Sequence, residues 1–345
     1  MKVGILTFHF AINFGAVIQA YALSTTLRQR GYEAEVIDYR PLRVIARQST
    51  GVRTSLIQRP RFNQFLRKFV PLSTKTYWSS RSLKGVLDHY DTFIVGSDQV
   101  WNTRVHHYFD ASYFLDFVPE NKGRLVSYAA SFGGEPVPHA HQAELANLIN
   151  RFHSISVRET EGKRVVSELT GRRAEVVLDP TLLDIDYEPV VRAPSMPYPY
   201  IAAYFLEESR GCYALVDVLK RMTGLPVISL GRKWSNADSS FKYIGPSHWL
   251  GCMTNASYVC TNSFHGVAIS IAARKPFFVC PTSRRFSRIT DLLDSLQLRS
   301  RIFFDPENLV KTDLSIDYSV AEVLLGQRVQ GSLLFLDRSL SQGQQ

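Results

Sequence analysis

His265 stands in the run Val259-Cys260-Thr261-Asn262-Ser263-Phe264-His265-Gly266, ahead of the apolar segment 267–273. The order reads as a buried strand, a tight polar loop and an apolar helix. It sets an imidazole among backbone N–H groups at a helix amino end, where unpaired donors and the helix dipole favour a phosphate or carboxylate. A histidine there can hold an anion or move a proton near neutral pH. Asn262 and Ser263 belong to the same candidate binding loop. A second loop, Gly96-Ser97-Asp98-Gln99-Val100-Trp101-Asn102, combines a hydroxyl, a carboxylate, two amides and an indole. Mixtures of this kind bind hydroxyl-rich sugars, with Ser97, Gln99 and Asn102 gripping hydroxyls and Trp101 covering the ring. Asp98 there can take the proton of an attacking hydroxyl. The local alternative is a helix start with Asp98 as its cap and Trp101 in the core.

Four further loops carry polar or basic groups. Asn13-Phe14-Gly15 opens a helix, so Asn13 either caps it or contacts a ligand, while Gly15 lets a backbone approach closely. Ser131 precedes paired glycines in Ala130-Ser131-Phe132-Gly133-Gly134, a ligand-facing loop or a turn. Arg158 offers a forked contact to a carboxylate or phosphate, or an ion pair with Glu159 or Glu161. Arg285 and Arg288 lie in a run of three arginines that suits a multiply charged anion, or forms a solvated surface.

These loops need a frame that brings them together. Apolar segments at 3–8, 34–39, 92–95, 124–131, 154–158 and 175–178 alternate with helical patterns at 16–30, 62–69, 83–89, 139–152 and 161–169. After a Pro-rich link the alternation resumes. Strands are expected at 200–205, 226–230, 258–261 and 276–279, and helices at 211–223, 248–255, 268–273 and 289–296. The segment 320–336 reads as one or two helices. Buried strands alternating with amphipathic helices predict an α/β protein with two Rossmann-like, doubly wound domains facing a cleft. The expected bounds are 1–188, with a basic insertion at 40–85, then 189–318, then a helical segment 319–345 that can pack back across the junction. In such sheets ligands bind beyond the carboxyl ends of the strands, which is where these loops fall.

Composition narrows the class. The chain has 345 residues, 45% of them hydrophobic and 21% charged, as ordinary globular proteins have. Of its net charge of +9, eleven basic residues and no acidic one fall between Tyr39 and Leu87. That stretch is a solvated surface or a patch for an anionic partner such as a lipid surface or a pyrophosphate-bearing substrate. No nucleic-acid module accompanies it, so nucleic acid is not an expected partner. The four cysteines form no C-x-x-C pair and sit beside apolar residues, which predicts buried reduced thiols and no metal site. The apolar start is too short for a signal peptide, and no apolar run approaches a membrane span, so a cytoplasmic protein is expected, able to rest on the inner face of a membrane. No Walker loop, G-x-G-x-x-G, H-E-x-x-H or G-x-S-x-G is present.

The segments 13–23, 96–102, 128–133, 157–159, Asp179-Pro180-Thr181-Leu182 and 262–266, in that order, resemble the polysaccharide pyruvyl transferase family over most of the chain. The resemblance implies a fold like that of the B-type glycosyltransferases. It implies transfer of the pyruvate unit of phosphoenolpyruvate to two hydroxyls of one sugar, forming a ketal and releasing phosphate, without a metal or other cofactor. The acceptor in such systems is a polysaccharide repeat or a lipid-linked glycan. By the same resemblance Arg158 is associated with phosphoenolpyruvate, His265 is the motif histidine, and Arg285 or Arg288 fills the downstream basic position. Several members carry an arginine two residues before that histidine; Ser263 stands there in this chain. Two rival readings are a nucleotide-sugar-dependent glycosyltransferase of the same fold, for which Asp238 is the available ribose-binding acid, and a non-catalytic glycan-binding protein.

Overall fold

The computed structural model describes residues 1–47, 54–104, 109–193, 199–281 and 286–341. Arg285 and the middle of the Pro-rich link lie outside the described residues. By contact the chain divides into two units: Met1–Ser55, Phe62–Ile185 and Arg328–Gln345 form one, and Leu56–Arg61 with Asp186–Gln327 the other.

Among the described residues the first unit builds a seven-stranded parallel sheet from β1 (Lys2–Leu6), β2 (Glu33–Tyr39), β3 (Leu72–Tyr77), β4 (Thr92–Val95), β5 (Arg124–Ala130), β6 (Ser154–Val157) and β7 (Glu175–Val176). Their order is β3-β2-β1-β4-β5-β6-β7. Helices α1 (Phe14–Gln29), α2 (Leu42–Arg47), α3 (Arg59–Phe69), α4 (His139–Asn150) and α5 (Thr160–Thr170) alternate with the strands. All four residues of β4 are buried, as expected of a strand covered on both faces. β3 was not expected from the sequence. Its run Leu-Ser-Thr-Lys-Thr-Tyr is polar because it is an edge strand, held to β2 by backbone pairing and by the Asp38 N–H donating to Ser73 Oγ at 2.9 Å. The segment expected as a helix at 83–89 is instead a 3-10 turn, Ser80–Val86.

The second unit carries a five-stranded parallel sheet of β8 (Ile201–Tyr204), β9 (Val227–Leu230), β10 (Ser239–Phe241), β11 (Tyr258–Thr261) and β12 (Phe277–Val279), in the order β10-β9-β8-β11-β12. Its helices are α6 (Arg210–Thr223), α7 (Pro246–Thr254), α8 (Phe264–Ala272) and α9 (Ser287–Ser295). The chain ends in one continuous helix, α10 (Ser319–Ser341). From Arg328 onward α10 groups with the first unit: Ser332 Oγ accepts from Leu178 N at 2.9 Å, and Arg30 pairs with Asp337. The four cysteines are free and buried. No helix among the described residues is long and apolar enough to cross a membrane.

Strand order in each sheet reverses at one place, between β1 and β4 in the first and between β8 and β11 in the second. At such a reversal the flanking connections leave in opposite directions and open a crevice at the strands' carboxyl ends.

Candidate functional site

The loop after β4 sits at the reversal of the first sheet. Gly96 is required there: its φ is +117°, and a Cβ would lie 2.0 Å from Tyr128 O. Ser97 is buried, its carbonyl accepting from Thr7 Oγ1 at 3.0 Å and its hydroxyl lying 2.9 Å from Asp179 Oδ2. Asp98 adopts a left-handed φ of 71°, uncommon for a residue with a side chain and held by its neighbours. Its carbonyl accepts from Ser131 N at 3.0 Å, and its Oδ1 from Gln99 N at 2.8 Å.

Around Arg158, which follows β6, three carboxylates gather. Nη1 lies 2.8 Å from Asp179 Oδ2, Nε 3.8 Å from Glu159 Oε2 and Nη2 4.0 Å from Asp98 Oδ1. Burial works against the guanidinium charge, but Asp179, Glu159 and Asp98 outweigh it and raise the pKa of Arg158. Asp179 is held further by Thr181, whose N–H and hydroxyl donate to Oδ1 at 3.1 and 2.7 Å. Glu159 accepts from Ser131 Oγ at 2.6 Å. The side chains of Arg158, Glu159 and Asp179 are 1%, 1% and 0% exposed, while that of Asp98 is 12% exposed. Asp98 is thus the member of the cluster that reaches solvent. Arg158 braces three carboxylates at the carboxyl ends of neighbouring strands. Of the two acids in the local alternative, Glu159 is a partner of Arg158, while Glu161 pairs with Arg164 instead. Glu159 and Asp179 were not singled out as site residues. An Asp-Pro pair beyond an apolar strand was the available signal for Asp179.

The rest of the loop is framework. Trp101 is fully buried, stacks on Phe114 with centroids 5.4 Å apart, and donates its indole N–H to Tyr113 O at 3.1 Å. It is a core residue, so the expected sugar-covering ring is corrected. Gln99 and Asn102 bond each other at 2.9 Å, over a Gly133 whose Cβ would lie 2.3 Å from Asn102 Nδ2. At the end of β1, Asn13 caps α1 by accepting from Ala16 N at 3.2 Å, and Gly15 is buried in the helix's first turn.

In the second unit, β11 leads through Asn262 and Ser263 straight into α8. The helix starts at Phe264 and not at 268, so His265 lies inside its first turn. Gly266 permits this: a Cβ would meet Thr261 Oγ1 at 2.4 Å. Ser263 caps the helix, its Oγ accepting from Gly266 N at 3.3 Å. Asn262 ties β11 to the loop after β8 across the reversal, accepting from Leu206 N at 2.8 Å and donating to Glu207 O at 2.5 Å. Asn262 and Ser263 are therefore braces for the loop. His265 is 8% exposed, with its ring edge-on to Phe264. Arg288 is buried in the first turn of α9, and Arg285 lies outside the described residues. Asp238, the acid a nucleotide ribose would need, is engaged by Lys220 Nζ at 2.8 Å and Val227 N at 2.8 Å, at the amino end of β9 and away from the ligand edge. Among the described residues no group of three His, Cys, Asp or Glu could hold a metal ion.

Solved structures share the fold. The UDP-GlcNAc 2-epimerase of Methanocaldococcus jannaschii, in complex with UDP-GlcNAc and UDP, is 12% identical with a TM-score of 0.52, over 97% of this chain and 100% of that one. A putative UDP-N-acetylglucosamine 2-epimerase of Listeria monocytogenes is 12% identical with a TM-score of 0.52, over 99% and 97%. HepE of Anabaena, in complex with UDP, is 14% identical with a TM-score of 0.50, over 99% and 100%. These likenesses establish the fold, that of B-type glycosyltransferases and sugar-nucleotide epimerases. A search among curated proteins finds no match. The family described as polysaccharide pyruvyl transferase matches residues 13–284. With that match spanning most of the sequence, the chain belongs to the polysaccharide pyruvyl transferase family.

Proposed function

We propose that this protein transfers the pyruvate unit of phosphoenolpyruvate onto two hydroxyls of one sugar in a polysaccharide or lipid-linked glycan. The observation that carries the reading is the placement of the two motif loops. Each falls at the strand-order reversal of its own sheet, one presenting Asp98 and the other His265. In the reaction both hydroxyl oxygens bond to the carbon bearing phosphate, the methylene carbon takes one proton to become a methyl, and the phosphate leaves with the other. Asp98 is the base for an acceptor hydroxyl. His265, with the amino end of α8, takes the phosphate of the donor. Arg158 is a positioning residue that holds Asp98 through the carboxylate cluster. Arg285 and Arg288 supply further cation charge to the donor.

The eleven basic residues between Tyr39 and Leu87 would attract anionic lipid, which suits a lipid-linked acceptor on the inner side of a membrane. Four free cysteines fit a reducing cytoplasm. Reversing several of these charges should weaken binding to anionic liposomes and spare activity on a short soluble acceptor.

The deciding experiment incubates the protein with candidate glycans and either phosphoenolpyruvate or nucleotide sugars, reading phosphate or nucleotide release and product mass. A product heavier by a pyruvate ketal, with phosphate released, is expected. A hexose-sized gain with nucleotide release would replace this reading by the glycosyltransferase one, and binding without product by the glycan-binding one.

A further inference from the structure

The carboxyl edge of the first sheet carries a concavity next to the turn that packs on Trp101 of the Asp98 loop. It has a volume of about 470 Å³ and is lined by residues that follow β2 and β3 and by the turn Ala111–Phe114. That size lies within the roughly 300–1,000 Å³ usual for small-molecule sites. Its wall is continuous with the reaction loop, because Trp101 donates to Tyr113 O and stacks on Phe114. On the rim Trp78 is 47% exposed and Leu42 59% exposed, two apolar side chains left open to water. Around them stand Asp110, Asp116, Ser80 and Arg43. Asp110 is fixed in place, accepting from Tyr39 OH at 2.9 Å and from Ser112 N at 3.1 Å.

We infer that this pocket is a saccharide subsite that holds one pyranose ring of the acceptor glycan. The chemistry of the lining selects that class. An open indole offers an apolar face to a ring's C–H surface, while carboxylates and a hydroxyl accept from and donate to ring hydroxyls. Two carboxylates against one guanidinium disfavour phosphoenolpyruvate with its carboxylate and phosphate charges, so the pocket is not a donor site. The inference rests on the reading that the acceptor is a glycan, and it adds where that glycan is gripped outside the reacting centre.

The protein supplies its own probe. Trp101 and Trp249 are fully buried and Trp234 is 9% exposed, so Trp78 is the indole open to a collisional quencher. Iodide quenching of tryptophan fluorescence is measured on the full chain while methyl glucopyranoside, galactopyranoside, mannopyranoside or N-acetyllactosamine is titrated in. At least one sugar should protect saturably, and phosphoenolpyruvate should not. Trp78→Phe should remove the quenchable component. Asp116→Asn, at an exposed position that leaves Trp78 in place, should weaken protection about tenfold, the loss of one hydrogen bond to a charged group. The inference is overturned if no sugar protects, if Asp116→Asn binds as tightly as the parent, or if anionic vesicles protect and sugars do not. Failure of the reaction reading is told apart: saturable protection without pyruvyl transfer keeps the pocket and removes the reaction. Transfer with no protection, and with an unchanged acceptor KM in Asp116→Asn, does the reverse.

Discussion

Replacing Arg158 with methionine tests whether the carboxylate cluster depends on the guanidinium among its members. The substitution keeps the side chain's length and removes a charge lying 2.8, 3.8 and 4.0 Å from Asp179, Glu159 and Asp98. At an effective dielectric of about 20, a pair at 4 Å is worth roughly 4 kcal/mol before desolvation. Breaking a buried pair by deleting one partner costs about 3–5 kcal/mol, because the charge left behind stays buried. Here three acids are left and not one, so the upper end is expected. With a shift of about 2–4 °C per kcal/mol for a unit of this size, the transition of the first unit should fall by roughly 10–20 °C. The direction with pH is a sharper check. In the variant the buried carboxylates repel one another, so protonation stabilises the fold, and the melting temperature should rise as the pH falls from 8 to 5. Scanning calorimetry at both pH values reads this. Arg164→Met is the control, since Arg164 pairs with Glu161 and Glu168 on an exposed helix face and should leave the melt where it is. The reasoning fails if Arg158→Met melts with the parent at pH 8, or if its melting temperature falls from pH 8 to pH 5.

His265→Ala should fold as the parent does by circular dichroism and release phosphate from phosphoenolpyruvate about a hundredfold more slowly, the typical effect of losing one transition-state contact. Trp101→Ala should destabilise the first unit by about 3–5 kcal/mol in a denaturant melt; a ring that merely covered a sugar would instead leave the melt unchanged and raise the acceptor KM. Asp38 should set an acid limb of stability. Burial opposes its charge, yet His9 at 2.8 Å, Arg40 at 2.6 Å and Thr76 at 2.7 Å hold its carboxyl well below the usual carboxylate range. A depressed folded value means that the contribution is fully present above the unfolded value of about 3.9 and is lost as the pH falls below it. Asp38→Asn should therefore melt lower at pH 7 and show a shallower loss between pH 4 and pH 2, measured by pH-dependent unfolding.

The parts of this chain that could be read in its sequence are those fixed by local pattern. β4, β11 and their neighbours are short apolar runs bounded by turn residues, the pattern of strands buried in a parallel sheet. The strand at 72–77 could not be read, because an edge strand needs only backbone partners and carries no apolar signature. The start of α8 was hidden for a related reason. Gly266 looks like a loop residue, but it lies in a helix pressed onto Thr261, and only the packing distance shows that. Trp101 illustrates the same limit in the site. An indole in a polar loop fits a sugar face and a core equally well, and the ring of Phe114 decides it.

The electrostatics of the site were the least legible part, since charge partners are chosen by the fold and not by spacing. From the sequence Arg158 had two nearby acids, Glu159 and Glu161. The fold turns Glu161 outward to Arg164 and brings Asp98 and Asp179 in from other strand ends. That exchange changes what Arg158 can do. A guanidinium beside one exposed glutamate could be recruited by a substrate anion, whereas one buried among three carboxylates is held in place. In the proposed reaction the anion-binding role belongs to the amino end of α8 with Arg285 and Arg288. The same proposal gives the base role to the carboxylate cluster, with Asp98 as its solvent-reaching member. If that division holds, Arg158→Lys, which keeps the charge and loses the fork, should lower kcat with acceptor while leaving the KM for phosphoenolpyruvate unchanged. A rise in that KM with kcat preserved would return Arg158 to the donor.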